Sequence, residues 1–435
     1  MTLARTWLGW LAAAALLSTP VACPQQTTDV APIDWIRSNA VPLRTVEPGR
    51  GFDDMRPLAK VVGNARIVAL GEATHGTHEF FLLKHRVLEF LATERGFTIF
   101  AMEASMPEAN RLNDFVLNGT GDPKQLLQGL HYAIWNTEEV LGMVLWMREF
   151  NRSGQGRIAF MGFDMQNPKL AMETVGSFVA EHDNRLKATL DPIYEDITQA
   201  TKQKWLDSPS PSQQLATHLL AVKCRGIFEH LQQDRERFLQ SHIDASEVDW
   251  AIQNARIVLQ YALLRSGEQS RDQSMAANIE WIAQHNPGAK IVIWAHNGHV
   301  KYSNPPGFDP MGGYLRAKFR RELVNFGFAF GQGSFRAMEA GRNQLREFTV
   351  QPLAMGSLDG TLATANIPIL ALDLRELPKG PVANWFARPR AMRSIGAIYN
   401  ENDPEAPMFV SHEVWPKDFD VILFVEKTTP SHGLD

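Results

Sequence analysis

The sequence predicts an α/β fold: a three-layer core with a mostly parallel sheet and a helical insertion. Three observations predict it. Short, wholly apolar runs recur along the chain, bounded by Gly, Asn or charged residues, as strands covered on both faces do. Helical patterns separate the early runs, and a βαβα order implies a parallel sheet with helices on both sides. A long central stretch carries no strand pattern at all.

Composition agrees with a large folded chain. Its 435 residues are 44% hydrophobic, enough to bury a sizeable core and too apolar for a disordered chain. Lys+Arg 43 against Asp+Glu 48 leaves a net charge of −5, which argues against a nucleic-acid partner. Two cysteines, Cys23 and Cys224, make neither a disulfide framework nor a cysteine-based zinc site. Cys224 reads as core filler.

Residues 1–22 read as a signal peptide, with Arg5 in a basic n-region and an apolar stretch from Trp7 to Leu17. Ala22 before Cys23 suggests a lipoprotein signal with Cys23 as the lipidated first residue. Pro20 fits that pattern poorly, and ordinary cleavage is the alternative. The expected location is outside the cytoplasm, as a periplasmic or outer-membrane lipoprotein. Residues 23–40 read as a tether. The first part of the core, 41–166, holds strands at 65–70 (ARIVAL), 97–102 (FTIFAM) and 157–163 (RIAFMGF), with helices at 79–94 and 137–151. Residues 167–285 are the helical insertion, with long amphipathic helices at 182–204, 212–240 and 246–266. The second part of the core, 286–426, holds strands at 290–295 (KIVIWA), 368–374 (PILALDL) and 419–425 (FDVILFV). Residues 427–435 read as a flexible tail.

Sites in open parallel sheets form at the carboxyl ends of strands. Here the first strand runs into Gly71-Glu72-Ala73-Thr74-His75-Gly76, the second into Glu103, the third into Asp164, and the fourth into His296-Asn297-Gly298-His299. Three carboxylates and three histidines therefore converge on one edge. A single strand-end histidine is usually a structural hydrogen-bonder; the convergence points to a site. In GEATHG, Glu72 and His75 are spaced to hydrogen-bond, and a carboxylate that fixes the imidazole tautomer makes it a usable general base. The bland reading is a helix start at which Glu72 only complements the dipole. His296 and His299 suit oxyanion or proton donation, and two histidines with a carboxylate also form a known metal triad. Lys84, nine residues after His75, reads from spacing alone as a solvated helix face. Its alternative is a cation that neutralises the glutamates. The chain lacks G-x-S-x-G, H-E-x-x-H, Walker A and G-x-G-x-x-G signatures.

These residues resemble the erythromycin esterase family. The matching blocks are VALGEATHGTHEFFLLKHRVLEFL, FTIFAMEAS, IWNTEEVLGMVLWMREFN, IAFMGFDMQ, RDQSMAANIEWI, IVIWAHNGHV and MGGYL, spread over 61–425. The resemblance implies hydrolysis of a carboxylic ester, in the family's named members a macrolide lactone, and hence antibiotic resistance. It implies His75 as the general base activating water, with no serine nucleophile. Glu72 and Glu103 would orient His75 or the water, and His296 and His299 would contact the carbonyl or tetrahedral intermediate. Lys84 belongs to the expected catalytic set as a donor to the oxyanion; some family members have Arg there, so the charge is kept and the bidentate fork is lost. Asn297, Trp135 and Asp164 are expected to contact substrate. No cofactor is expected, and the partner is a small-molecule ester or lactone. The alternative is a non-hydrolytic pocket that binds a metal or haem-type cofactor through its His and Glu residues.

Overall fold

A computed structural model describes residues 30–202, 210–303, 309–342 and 344–434. The signal peptide, Cys23 and the start of the tether lie outside the described residues. In chain order the strands are β1 (Val41–Pro42), β2 (Ile67–Leu70), β3 (Ile99–Ser105), β4 (Ala159–Asp164), β5 (Ile291–Trp294), β6 (Leu323–Glu339), β7 (Leu345–Val350), β8 (Ile369–Asp373), β9 (Arg390–Arg393), β10 (Ile398–Tyr399), β11 (Val410–Glu413) and β12 (Val421–Thr428).

The main sheet runs β1-β8-β12-β6-β2-β5-β3-β4. Strands β12, β6, β2, β5, β3 and β4 are parallel, while β8 and β1 close one edge antiparallel. The predicted α/β architecture is therefore observed. Alternate residues of each central strand feed two separate cores. Ile67, Ala69, Ile99, Ala101, Ile291 and Ile293 pack with the helices between β4 and β5. Val68, Leu70, Phe100, Met102, Val292 and Trp294 pack with the helices His78–Arg95 and Glu138–Arg152. Both faces are covered, which is why these strands read as continuous apolar runs. Between β4 and β5 the described chain is helical throughout, from Lys169–His182 to Arg271–His285.

Three segments differ from expectation. Val30–Asn39, inside the expected tether, is a helix that buries Ile33 and Ile36 and sets Trp35 edge-on to Phe386. The 17-residue strand β6 was not foreseen, because Gly327, Gly331 and Gly333 interrupt its apolar run. It nevertheless pairs with β2, β12, β7 and β10. The segment after Glu426 is not loose: β12 continues to Thr428, and the chain then bridges Thr77 through Pro430 and Thr137 through Gly433. Its polar side chains hid this, since its main chain makes the bonds.

Candidate active site

Strand β2 ends at Leu70, and the chain turns sharply through GEATHG before the helix His78–Arg95. Close packing dictates the glycines. A Cβ on Gly71 would overlap the Asn297 carboxamide, and one on Gly76 would overlap the Arg336 carbonyl. The turn drops Glu72 into full burial and leaves His75 at the edge of a cavity of about 280 Å³.

Glu72 is completely engaged. Its Oε1 lies 2.5 Å from His75 Nδ1, and its Oε2 accepts from Lys84 Nζ at 2.6 Å and from Trp294 Nε1 at 3.0 Å. A carboxylate holding two donors at Oε2 can only accept at Oε1, so His75 carries its proton on Nδ1 and presents the Nε2 lone pair to the cavity. Lys84 is fully buried, not solvated, with its ammonium 4.3 Å from the Trp294 ring centroid. Burial pulls it down to about 8 against the pull of Glu72.

A second cluster faces the first. Arg271 opens the helix Arg271–His285 and reaches back under the sheet edge. Its guanidinium donates to Glu103 Oε1 at 2.7 Å, to Asp164 at 2.7 and 3.2 Å, and to His299 Nε2 at 2.9 Å. Burial would raise the Glu103 carboxyl, but His299 when protonated, and Arg271 throughout, hold it well below the usual carboxylate range. Asp164 is lowered as well: the charge and hydrogen bonds of Arg271 outweigh burial. His299 turns Nδ1 to Asp272 at 2.8 Å. Accepting from Arg271 at Nε2 assigns it the neutral Nδ1–H form. Glu103 and Asp272 outweigh burial and the charge of Arg271, raising its proton affinity, and a proton gained at Nε2 meets Glu103 at 3.4 Å.

His296 sits between the clusters, its ring centroid 5.1 Å from that of His75. The Gly298 amide donates to its Nδ1 at 3.1 Å, which places the ring proton on Nε2. Nε2 is buried with no hydrogen-bond partner among the described residues. Burial holds His296 well below the ordinary histidine value and so keeps it neutral. A neutral N–H donor thus lines the cavity.

Of the predicted residues, His75, Glu103, His296, His299 and Trp135 line the cavity, while Glu72 and Lys84 stand behind His75. Trp135 lies edge-on to His75 and donates to the Glu103 carbonyl at 3.0 Å. Asn297 and Asp164 do not line it. The Asn297 carboxamide is spent on both main-chain groups of Phe328, at 2.7 and 3.0 Å, tying the β5 end to β6. Asp164 is buried under Arg271, Tyr132 and Gln166. Sequence reasoning missed Arg271, Asp272 and Tyr132. The signal for the first two was the RDQSMAANIEWI block, which begins on Arg271.

The chain is 26% identical to erythromycin esterase type II of Escherichia coli over 92% of this chain and 98% of that one. A crystal structure described as a succinoglycan biosynthesis protein matches with a TM-score of 0.77 and 26% identity, covering 94% of this chain and 99% of its own. An erythromycin esterase mutant in its open conformation shares the fold, with a TM-score of 0.67 and 17% identity over 89% and 97% of the two chains. With a family model for erythromycin esterase matching residues 92–428, the chain belongs to the erythromycin esterase family, and that membership supports a hydrolytic function.

Proposed function

We propose that this chain hydrolyses carboxylic esters or lactones by general-base activation of water, without a serine nucleophile. The single observation that carries the reading is a pair of imidazoles of opposite hydrogen-bonding sense lining one cavity, their ring centroids 5.1 Å apart. His75 offers a lone pair at Nε2, and His296 offers a proton at Nε2.

His75 removes a proton from water as the water oxygen bonds to the ester carbonyl carbon. The carbonyl oxygen becomes an oxyanion and accepts a hydrogen bond from Nε2–H of His296, which keeps its proton. Collapse breaks the bond to the alkoxide, which recovers the proton from His75, giving acid and alcohol. Glu72 keeps His75 in its tautomer and is compensated by Lys84 and Trp294. Glu103, Arg271 and His299 line the opposite wall and hold its charge balance.

A metal or haem-type ligand set fits these residues poorly. His296 keeps its proton on Nε2 because the Gly298 amide donates to Nδ1, and the Arg271 guanidinium fills His299 Nε2, so of the three imidazoles only His75 offers a lone pair to the cavity. The cavity of about 280 Å³ is at the small end of ligand sites, roughly 300–1,000 Å³. It encloses a small ester or lactone whole, and of a macrolide only the segment around the scissile bond.

The test is steady-state hydrolysis of a panel of p-nitrophenyl esters, simple lactones and macrolides by wild type and His75→Asn. Loss of a positioned general base is expected to cost about 10²–10⁴-fold in kcat on whichever substrate is cleaved. Undiminished turnover in His75→Asn would overturn the assignment.

A further inference from the structure

A second His/Glu constellation lies outside the cavity. His78 is the first residue of the helix His78–Arg95, three positions after His75, and Glu139 lies in the first turn of Glu138–Arg152. His432 comes from the C-terminal segment that crosses both helix starts. His78 Nδ1 is 2.6 Å from Glu139 Oε1, His432 Nδ1 is 3.4 Å from the same oxygen, and the two rings lie 4.8 Å apart. One ligand atom from each residue falls within a 4.8 Å span. Four ligands around tetrahedral zinc stand about 3.4 Å apart, given metal–ligand distances near 2.1 Å. His432 Nδ1 already stands at that spacing from Glu139, and the His78–Glu139 contact has to open from 2.6 Å as the shared proton leaves; the His432 side chain, 60% exposed, has room to follow. Glu138 Oε2, 3.8 Å from His432 Nδ1, is in reach as a further donor.

The surroundings are prepared for such a site. Main-chain bonds already place the segment: the Ser431 amide donates to Gly76, the His78 amide to Thr429, the Glu138 amide to His432, and the Leu434 amide to Asn136. Among the described residues, no Lys or Arg side chain is hydrogen-bonded or ion-paired to the three ligands. The contrast is Asp183, His230 and Asp234, where Arg237 donates to both carboxylates and fills the role of the cation.

We propose that His78, Glu139 and His432 form a divalent transition-metal site that fastens the C-terminal segment across the turn carrying His75. Two imidazoles and one carboxylate suit Zn²⁺ and its first-row neighbours. The metal takes the place of the proton shared by His78 and Glu139, which is released on binding.

Zinc binding by the full chain, stripped with chelator and titrated with ZnCl₂ at pH 7.5, tests this. Wild type is expected to bind one more zinc equivalent than His432→Ala or His78→Gln, or to hold it at least tenfold more tightly, since even outer-shell losses cost 10–100-fold. His75→Asn retains that equivalent, which separates the site from the cavity. Zinc raises the thermal midpoint of wild type and leaves those of His432→Ala and His78→Gln unchanged. Equal zinc binding in wild type and both latch variants, or none in wild type, overturns the proposal.

Discussion

Glu72 Oε1 lies 2.5 Å from His75 Nδ1 inside a fully buried turn, with Lys84 and Trp294 closing off the other carboxylate oxygen. The carboxylate thus fixes one proton on His75 and is itself fixed. Glu72→Gln keeps the shape but presents an amide that can donate to Nδ1, admitting the wrong tautomer, and leaves the Lys84 charge uncompensated. Turnover is expected to fall on the order of 10²–10⁴-fold, as when the orienting carboxylate of a triad is neutralised. Kinetics paired with a thermal midpoint check this; full activity in a folded Glu72→Gln protein would refute the role.

The neutral His296 makes a narrower prediction. Its Nε2–H has no partner among the described residues, so His296→Phe removes a donor without orphaning a described group at that atom. A fall in kcat of about 10²–10³-fold is expected, the usual cost of one oxyanion donor. KM for a small ester should change little. A change in KM alone would show that His296 binds the ground state and does nothing more.

Arg271 is predicted to matter for folding as much as for turnover. It is the common partner of Glu103, Asp164 and His299, and it is mostly buried. Arg271→Met strands two buried carboxylates, a loss of about 3–5 kcal/mol for a broken buried pair. Arg271→Lys recovers only part, because one ammonium cannot span both carboxylates as the fork does. Urea denaturation of both variants measures this, and near-wild-type stability of Arg271→Met would contradict the ion-pair account.

How far the sequence reveals this site depends on where each residue sits. Glu72, His75, Glu103, His296 and His299 follow directly from strand ends, since an apolar run that stops abruptly marks the carboxyl edge. Arg271, Asp272 and Tyr132 come from a helix start and a loop whose placement over that edge no local period encodes. Of the two readings of Lys84, the solvated face fails and the cation paired with a glutamate holds. Its helix buries Phe80, Phe81, Leu83, Val87, Leu88 and Leu91 nearly all round, so a solvated face was never available. Strand β6 shows its period in Phe326, Phe328 and Phe330, but its glycines break the run. At Gly327 and Gly331 they make room, respectively, for the Trp415 and Phe419 rings and for the Glu426 backbone. Asn297 carried the right neighbourhood and the wrong role. Asn297→Ala should lower stability by about 1–3 kcal/mol for an orphaned buried main-chain group, with KM little changed.

The latch outside the cavity predicts a pH signature in the metal-free protein. The bond to Glu139 raises His78 above its ordinary 6.5, with Glu79 and Glu47 adding to it against burial. Burial would raise Glu139, but His78 and the His432 amide lower it below 4.5. The raised histidine gives stability that is fully present below pH 6.5 and is lost as pH rises through its folded value. The lowered carboxyl gives stability that is present above pH 4.5 and is lost as pH falls through its folded value. Both act together between 4.5 and 6.5, so the difference in thermal midpoint between wild type and His78→Gln, measured in chelator, should be widest there and shrink towards pH 8.5. Zinc should reverse that trend, because imidazole must shed its proton to bind metal and the metal's stabilisation grows with pH. A difference that widens steadily with pH in chelator would mean that the 2.6 Å contact does not carry the charge assigned to it.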